Sequence, residues 1–291
     1  MSKYSITELE RLSSIKAHTL RIWEKRYDLF EPDRVGNNKR LYSDEDLRKV
    51  LCLATLNSHG FKISKIAGLS DQELNEKVEE VLTKGVAPSA FVDGLCSAMI
   101  DLDEPLFEKW LSRALIQHEF EHVVIEIFYP LLERVGLLWS VQKIRPAQEH
   151  FLSNLIRQKI ISAIDVLPPA KGGEAPYVLF LPENCWHEIS LLFYHYLLKK
   201  WNKPVVYLGQ HLAFEDLKTV VNLYKAKYLV TSMITRAEED EIEKVIHWVE
   251  KNQRTLLIGG AAADESWADK SCVFLFQSLA KFHEIVGPKN E

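Results

Sequence analysis

The stretch Thr19-Leu20-Arg21-Ile22-Trp23-Glu24-Lys25-Arg26-Tyr27, with Arg40-Leu41-Tyr42 shortly after it, decides how the first part of this 291-residue chain folds. Leu20, Trp23 and Tyr27 recur at i, i+3 and i+7, one apolar stripe on a helix. His18, Arg21 and Lys25 fall on the other side at similar spacing. Such a helix docks by its aromatic face and presents cations outward, which suits a nucleic-acid groove. Upstream, Ile6–Leu12 is a second short amphipathic segment, broken by Ser13-Ser14, so a helix-turn-helix is expected. Downstream, Arg34-Val35-Gly36-Asn37-Asn38-Lys39-Arg40 is basic and turn-rich. Gly36 and the two asparagines suit a tight hairpin.

Charge separates this end from the rest. Residues 1–70 hold 13 Lys and Arg against 9 Asp and Glu, a net +4 in a chain whose total is −5. A basic end on an acidic protein is an electrostatic footprint for nucleic acid. The excess is small, so one copy grips weakly, and two or more copies on a repeated site are expected.

These residues resemble the MerR family of winged helix-turn-helix regulators over about residues 3–70. The match runs through Tyr4-Ser5-Ile6, the Leu20–Tyr27 signature, Phe30-Glu31-Pro32, Arg40-Leu41-Tyr42 and Gly60-Phe61. The resemblance implies that His18, Thr19, Arg21 and Lys25 lie near the major groove of an operator. It places Lys39, Arg40 and Tyr42 in the wing, on the backbone or minor groove, with Trp23 and Tyr27 packing.

Composition is ordinary for globular protein, at 47% hydrophobic and 26% charged. No run approaches 18 apolar residues and no signal-peptide pattern opens the chain, so a cytoplasmic protein away from membranes is expected. Cys52, Cys96, Cys185 and Cys272 lie far apart, against disulfides, structural zinc and the clustered cysteines of metal-sensing MerR proteins.

The expected order is a DNA-binding domain at 1–72, a connecting helix at 73–88 and a four-helix bundle at 89–167. A linker at 168–175 and an α/β domain at 176–288 follow. No sustained heptads follow residue 70, so the long coiled coil of many MerR dimers is absent. In the bundle, Phe91, Leu95 and Met99 form one stripe, and Phe107, Trp110, Leu111, Ala114 and Leu115 another. Pro168-Pro169-Ala170-Lys171-Gly172-Gly173 is the clearest linker. Beyond it, short runs at 177–181, 205–208, 228–231, 255–258 and 273–276 alternate with helical stretches at 188–200, 214–225 and 238–251. That alternation predicts a doubly wound, parallel, Rossmann-like sheet. The fold class is thus multidomain, α and α/β.

Ligands bind such sheets at the carboxyl ends of the strands. There the sequence offers His187, a possible metal ligand, Ser232, a small hydroxyl, and Gly259-Gly260, which admit a close planar group. A histidine opening a helix is equally a surface residue, and paired glycines equally a turn.

The strand ends resemble the cobalamin-binding domain of methionine synthase, corrinoid carriers and mutases. Carried over, His187 ligates cobalt from below, Ser232 contacts the nucleotide tail, and Gly259 and Gly260 line its slot. Trp139, followed after nine residues by Glu149-His150, resembles the light-sensing, cobalamin-dependent MerR repressors of carotenoid genes. There the three residues line the pocket of the upper axial group; as plain sequence, Trp139 is equally bundle core. Three positions depart from the pattern. Cys185 stands where an acid orients the histidine, Ser190 where a glycine stands, and Ser140 where photoreceptor members place a second histidine.

The leading expectation is a DNA-binding transcriptional regulator, a repressor, whose oligomerisation and DNA affinity are set by a cobalamin-type sensor, adenosylcobalamin included. The alternative keeps DNA binding and makes the C-terminal half a module for oligomerisation, a protein partner or another ligand. A corrinoid methyl carrier or enzyme is the third reading; no catalytic carboxylate pair or nucleophile triad supports it, so no enzyme is expected.

Overall fold

The computed structural model describes residues 3–30, 32–35, 39–82, 87–140, 143–171, 173–234 and 239–288. The chain divides into two compact units, Met1–Asn154 and Leu155–Glu291.

The first unit opens with α1 (Ile6–Ser13) and α2 (Ala17–Tyr27). Ser5 and Glu8 cap α1 reciprocally, each side chain taking the other's backbone N–H. Ser14, in the left-handed region at φ 60°, makes the turn between the helices, where Ser13-Ser14 predicts a break. Strands β1 (Asp33–Val35) and β2 (Lys39–Leu41) pair antiparallel as the wing, with Arg34 opposite Arg40. The hairpin tip expected at Gly36, Asn37 and Asn38 lies outside the described residues. Tyr4 and Tyr42 exchange both backbone hydrogen bonds at 2.8 Å, tying the chain's start to the wing's end. A second capping box, Ser43 with Asp46, starts α3 (Asp44–Ser58). Short α4 (Ile63–Ile66) and α5 (Asp71–Leu82) follow.

The bundle helices of this unit are α6 (Pro88–Asp101), α7 (Glu104–Gln117), the run α8 (Phe120–Val123) to α9 (Tyr129–Ser140), and the start of α10 (Pro146–Asp165). A π turn at Val124–Phe128 joins α8 to α9. The predicted stripe of Phe91, Leu95 and Met99 is wholly buried. Arg134 on α9 pairs with Asp93 on α6 at 2.5 Å, and Thr55 of α3 donates to the same carboxylate at 3.5 Å. Burial pushes the Asp93 carboxyl up to about 6, against the pull of Arg134. Arg48 of α3 pairs with Asp101 of α6, so the winged helix sits on the bundle through one ion pair and one hydrogen bond as well as apolar packing. Beside them is a cavity of about 260 Å³, lined by Leu51, Cys52, Asp93 and Trp110 among others.

The second unit is the expected parallel sheet. It runs β3 (Tyr177–Pro182), α11 (Ile189–Lys200), β4 (Val205–Leu212), α12 (Phe214–Leu223) and β5 (Tyr228–Ser232). Then come α13 (Glu239–Lys251), β6 (Thr255–Gly259), β7 (Val273–Phe276) and α14 (Leu279–Val286). The strand order is β4-β3-β5-β6-β7, so its direction reverses between β3 and β5. That reversal opens the crevice where doubly wound sheets take ligands. β4 continues past the predicted 205–208 to Leu212, through register shifts and positive φ at Gly209 and His211.

Candidate DNA-binding face and ligand edge

The recognition helix is oriented by its buried side. Leu20 is 1% and Trp23 6% exposed, while His18, Arg21 and Lys25 are exposed together on the opposite face. Thr19 is half-buried, its hydroxyl 3.4 Å from His18 Nε2. Ile22, at 54% exposure, shares the outer face and was not singled out by its sequence. Tyr27 is half-buried under the Arg26 guanidinium, 5.5 Å from the ring centroid.

The wing is held to this helix by Glu24. Its carboxylate accepts from the Tyr42 hydroxyl at 2.7 Å and pairs with Arg40 Nε at 3.0 Å. Arg40 remains exposed, steered by Glu24. Tyr42, aimed at DNA by the resemblance, is 1% exposed and packs edge-on against Phe30 at 5.9 Å. Burial, then the Glu24 hydrogen bond, holds its hydroxyl protonated far above the usual phenol range. In this structure the ring is enclosed and the hydroxyl proton is committed to Glu24. Lys39 lies on β2, with its side chain outside the described residues.

In the bundle, Trp139 is 49% exposed near the end of α9, so it is not a core residue. Glu149 and His150 pair with each other at 3.0 Å on α10.

At the carboxyl edge of the sheet, the loop after β3 is locked to the extension of β4. The Asn184 N–H donates to His211 Nδ1 at 2.8 Å, and the His211 N–H to the Cys185 carbonyl at 3.2 Å. Gln210 donates to the Trp186 carbonyl at 2.7 Å, and the Trp186 and His211 rings stack at 4.8 Å. His187 stands exposed in this rigid loop without a hydrogen-bond partner among the described residues. Cys185 is 1% exposed. Glu188 faces inward, pairing with Arg157 Nε at 2.8 Å and accepting from the Tyr207 hydroxyl at 2.8 Å. It is thereby committed elsewhere and does not orient His187. Arg157, Tyr207, Trp186 and His211 escaped the sequence reading. The positive φ at Gly209 and His211 that brings them together leaves only a glycine as its written trace.

The other strand tips are closed. Ser232 is fully buried at the end of β5, opposite Gly259, and its hydroxyl finds no partner among the described residues. A Cβ on Gly259 would lie 2.6 Å from the Tyr194 hydroxyl and 2.7 Å from the Phe276 ring. Gly260, at φ +96°, turns against the Met233 carbonyl, only 2.2 Å from where a Cβ would sit. Glycines here do let planar groups approach the backbone; the groups are the protein's own rings. Burying a Phe ring stabilises by about 1.5–3 kcal/mol, so moving Phe276 aside is costly. The residues therefore fit a corrinoid unevenly. His187 is free to ligate cobalt, whereas the space at Ser232 and Gly259 does not admit a nucleotide tail. Among the described residues no group of three or more His, Cys, Asp or Glu is placed to hold a bare metal ion.

A winged helix-turn-helix, a helical bundle and a doubly wound sheet in one chain define a MerR-type regulator with a corrinoid-type sensory half. The family of MerR HTH regulatory proteins matches residues 4–73, and the B12 binding domain family matches residues 91–162. The HTH-type transcriptional repressor CarA of Myxococcus xanthus is 30% identical over 83% of this chain and 80% of its own. CarH, an HTH-type transcriptional repressor of the same organism, is 26% identical over 98% of both chains. The monomethylamine corrinoid protein of Methanosarcina barkeri shares the fold, with a TM-score of 0.57 and 15% identity over 68% of this chain and 98% of its own. The chain belongs to the family of transcriptional regulators that includes CarA. It is a DNA-binding regulator with a cobalamin-type sensor, and the fold class and function read from the sequence stand.

Proposed function

We propose that this protein represses transcription by binding operator DNA as an oligomer, and that a corrinoid at the edge of the sheet sets its state of assembly. The observation that carries the DNA half is the single exposed face shared by His18, Arg21 and Lys25, on a helix anchored by Leu20 and Trp23. Arg21 and Lys25 supply the charge that meets phosphates and base edges, and Arg40, steered by Glu24, supplies the wing contact. Two protomers on a repeated site offset the weak charge of one.

For the sensor, His187 would hold the cobalt of a corrinoid, and the bound group would supply the signal that the protein reads. Trp139, Glu149 and His150 are kept as candidate ligand residues of the bundle on the resemblance alone. Ser232, Gly259 and Gly260 form the floor of the sheet edge. A second reading, in which the α/β unit serves assembly or a partner protein without a corrinoid, is favoured by the closed space at Gly259.

A gel shift of the full chain on the duplex upstream of its own gene, paired with sedimentation, tests the proposal. Retardation, together with a corrinoid-dependent change in sedimentation, is expected. Retardation with sedimentation indifferent to corrinoids selects the second reading, and no retardation overturns both.

A further inference from the structure

We infer that the α/β unit takes a corrinoid by its ring alone and leaves the nucleotide tail outside, because Tyr194 and Phe276 fill the space beside Gly259. The inference rests on the corrinoid reading of His187 above.

The filling is built by distant parts of the unit. Tyr194 comes from α11, Phe276 from the end of β7, and Phe282 from α14. The Tyr194 ring lies 5.0 Å from Phe276 and 5.1 Å from Phe282, and those two lie 4.6 Å apart. Trp201, just after α11, backs the group at 5.8 Å from Phe282. Phe276 is 2% exposed and Phe282 is fully buried. Register places Gly259 beside Ser232 on one side and Phe276 on the other, so the closed space and the partnerless hydroxyl belong to one spot. Tyr194 supplies the atom nearest to where a Cβ on Gly259 would sit, and Phe276 and Phe282 back it.

The consequence follows from competition for cobalt. A cobalamin carries its own benzimidazole on a tether, and a tethered base competes at high effective concentration with any protein ligand. A protein that houses the displaced tail offsets that competition. Among the described residues the space beside Gly259 is taken by Tyr194 and Phe276, and neither Cys185 nor Glu188 stands behind His187 to strengthen it. The favoured ligand class is therefore a corrinoid without a lower base.

The experiment is an anaerobic titration of the full chain with cob(II)inamide and with cob(II)alamin, followed by visible absorption and electron paramagnetic resonance. Wild type is expected to bind cob(II)inamide at least about tenfold more tightly. The bound cobalt should show splitting from one nitrogen, lost in His187→Ala. Tyr194 is half-buried, so Tyr194→Ala keeps the fold, checked by circular dichroism, and shifts the preference towards cob(II)alamin. Tighter binding of cob(II)alamin by wild type overturns the inference and leaves the corrinoid reading standing. Binding of neither compound overturns the corrinoid reading itself.

Discussion

The winged helix and the sheet edge handle their candidate residues in opposite ways. On α2 the outer residues are presented ready-made: His18, Arg21 and Lys25 are exposed, and the wing's Arg40 is pre-aimed by Glu24. At the sheet edge only His187 is presented; Ser232 is buried, Glu188 is engaged by Arg157 and Tyr207, and Gly259 is covered by Tyr194 and Phe276. The difference teaches that the backbone of the DNA face and the Arg40 side chain are preorganised, while Arg21 and Lys25 must still be ordered on binding. The ligand edge is preorganised for one atom, a histidine nitrogen.

The largest effect that sharpens this comparison is on stability. Asp93→Ala leaves Arg134 buried and unpaired between α6 and α9, and should destabilise the first unit by about 3–5 kcal/mol. Denaturant unfolding followed by circular dichroism reads this, and a loss under 1 kcal/mol would mean water reaches Arg134. Glu188→Ala should destabilise the second unit by a smaller amount, because it removes the carboxylate that Arg157 and Tyr207 share, and should leave the DNA face intact. Unchanged DNA affinity at permissive temperature is the check.

Acid should separate the two units with opposite signs. The Asp93 carboxyl is raised from 3.8 to about 6 by burial, so its folded form holds the proton more tightly than the unfolded chain. Its contribution is full below about pH 4 and is lost as the pH rises through about 6. His195, stacked on Tyr207 at 5.2 Å, is lowered from 6.5 to about 4 by burial and then by Lys199. Its contribution is full above pH 6.5 and is lost as the pH falls through about 4. Melting curves of Asp93→Asn and His195→Gln between pH 4 and 7 should each flatten the slope of one unit only. Smallest is Tyr42→Phe, which removes one hydrogen bond to Glu24 and should cost about 1 kcal/mol, with a modest loss of DNA affinity as Arg40 loosens.

Periodicity made the helices and strands legible, because each is written within a few consecutive residues. The stripe of Leu20 and Trp23, the break at Ser14, the buried Phe91, Leu95 and Met99, and the five strands all appear where the pattern puts them. What was not legible depends on residues far apart in sequence. Nothing local tells that Tyr194 meets Phe276, 82 positions further on, or that Tyr207 rather than solvent donates to Glu188. The π turn at Val124–Phe128 likewise leaves no apolar period of its own. Tyr42 directly follows β2, and nothing local tells that its ring points inward.

The central claim is that the exposed cations of α2 hold DNA, and fluorescence anisotropy of a labelled operator duplex tests it most directly. Arg21→Ala in the full chain, folded by circular dichroism, should weaken binding by about 1–3 kcal/mol, roughly 5- to 150-fold at fixed moderate salt. Affinity equal to wild type under those conditions would contradict the account.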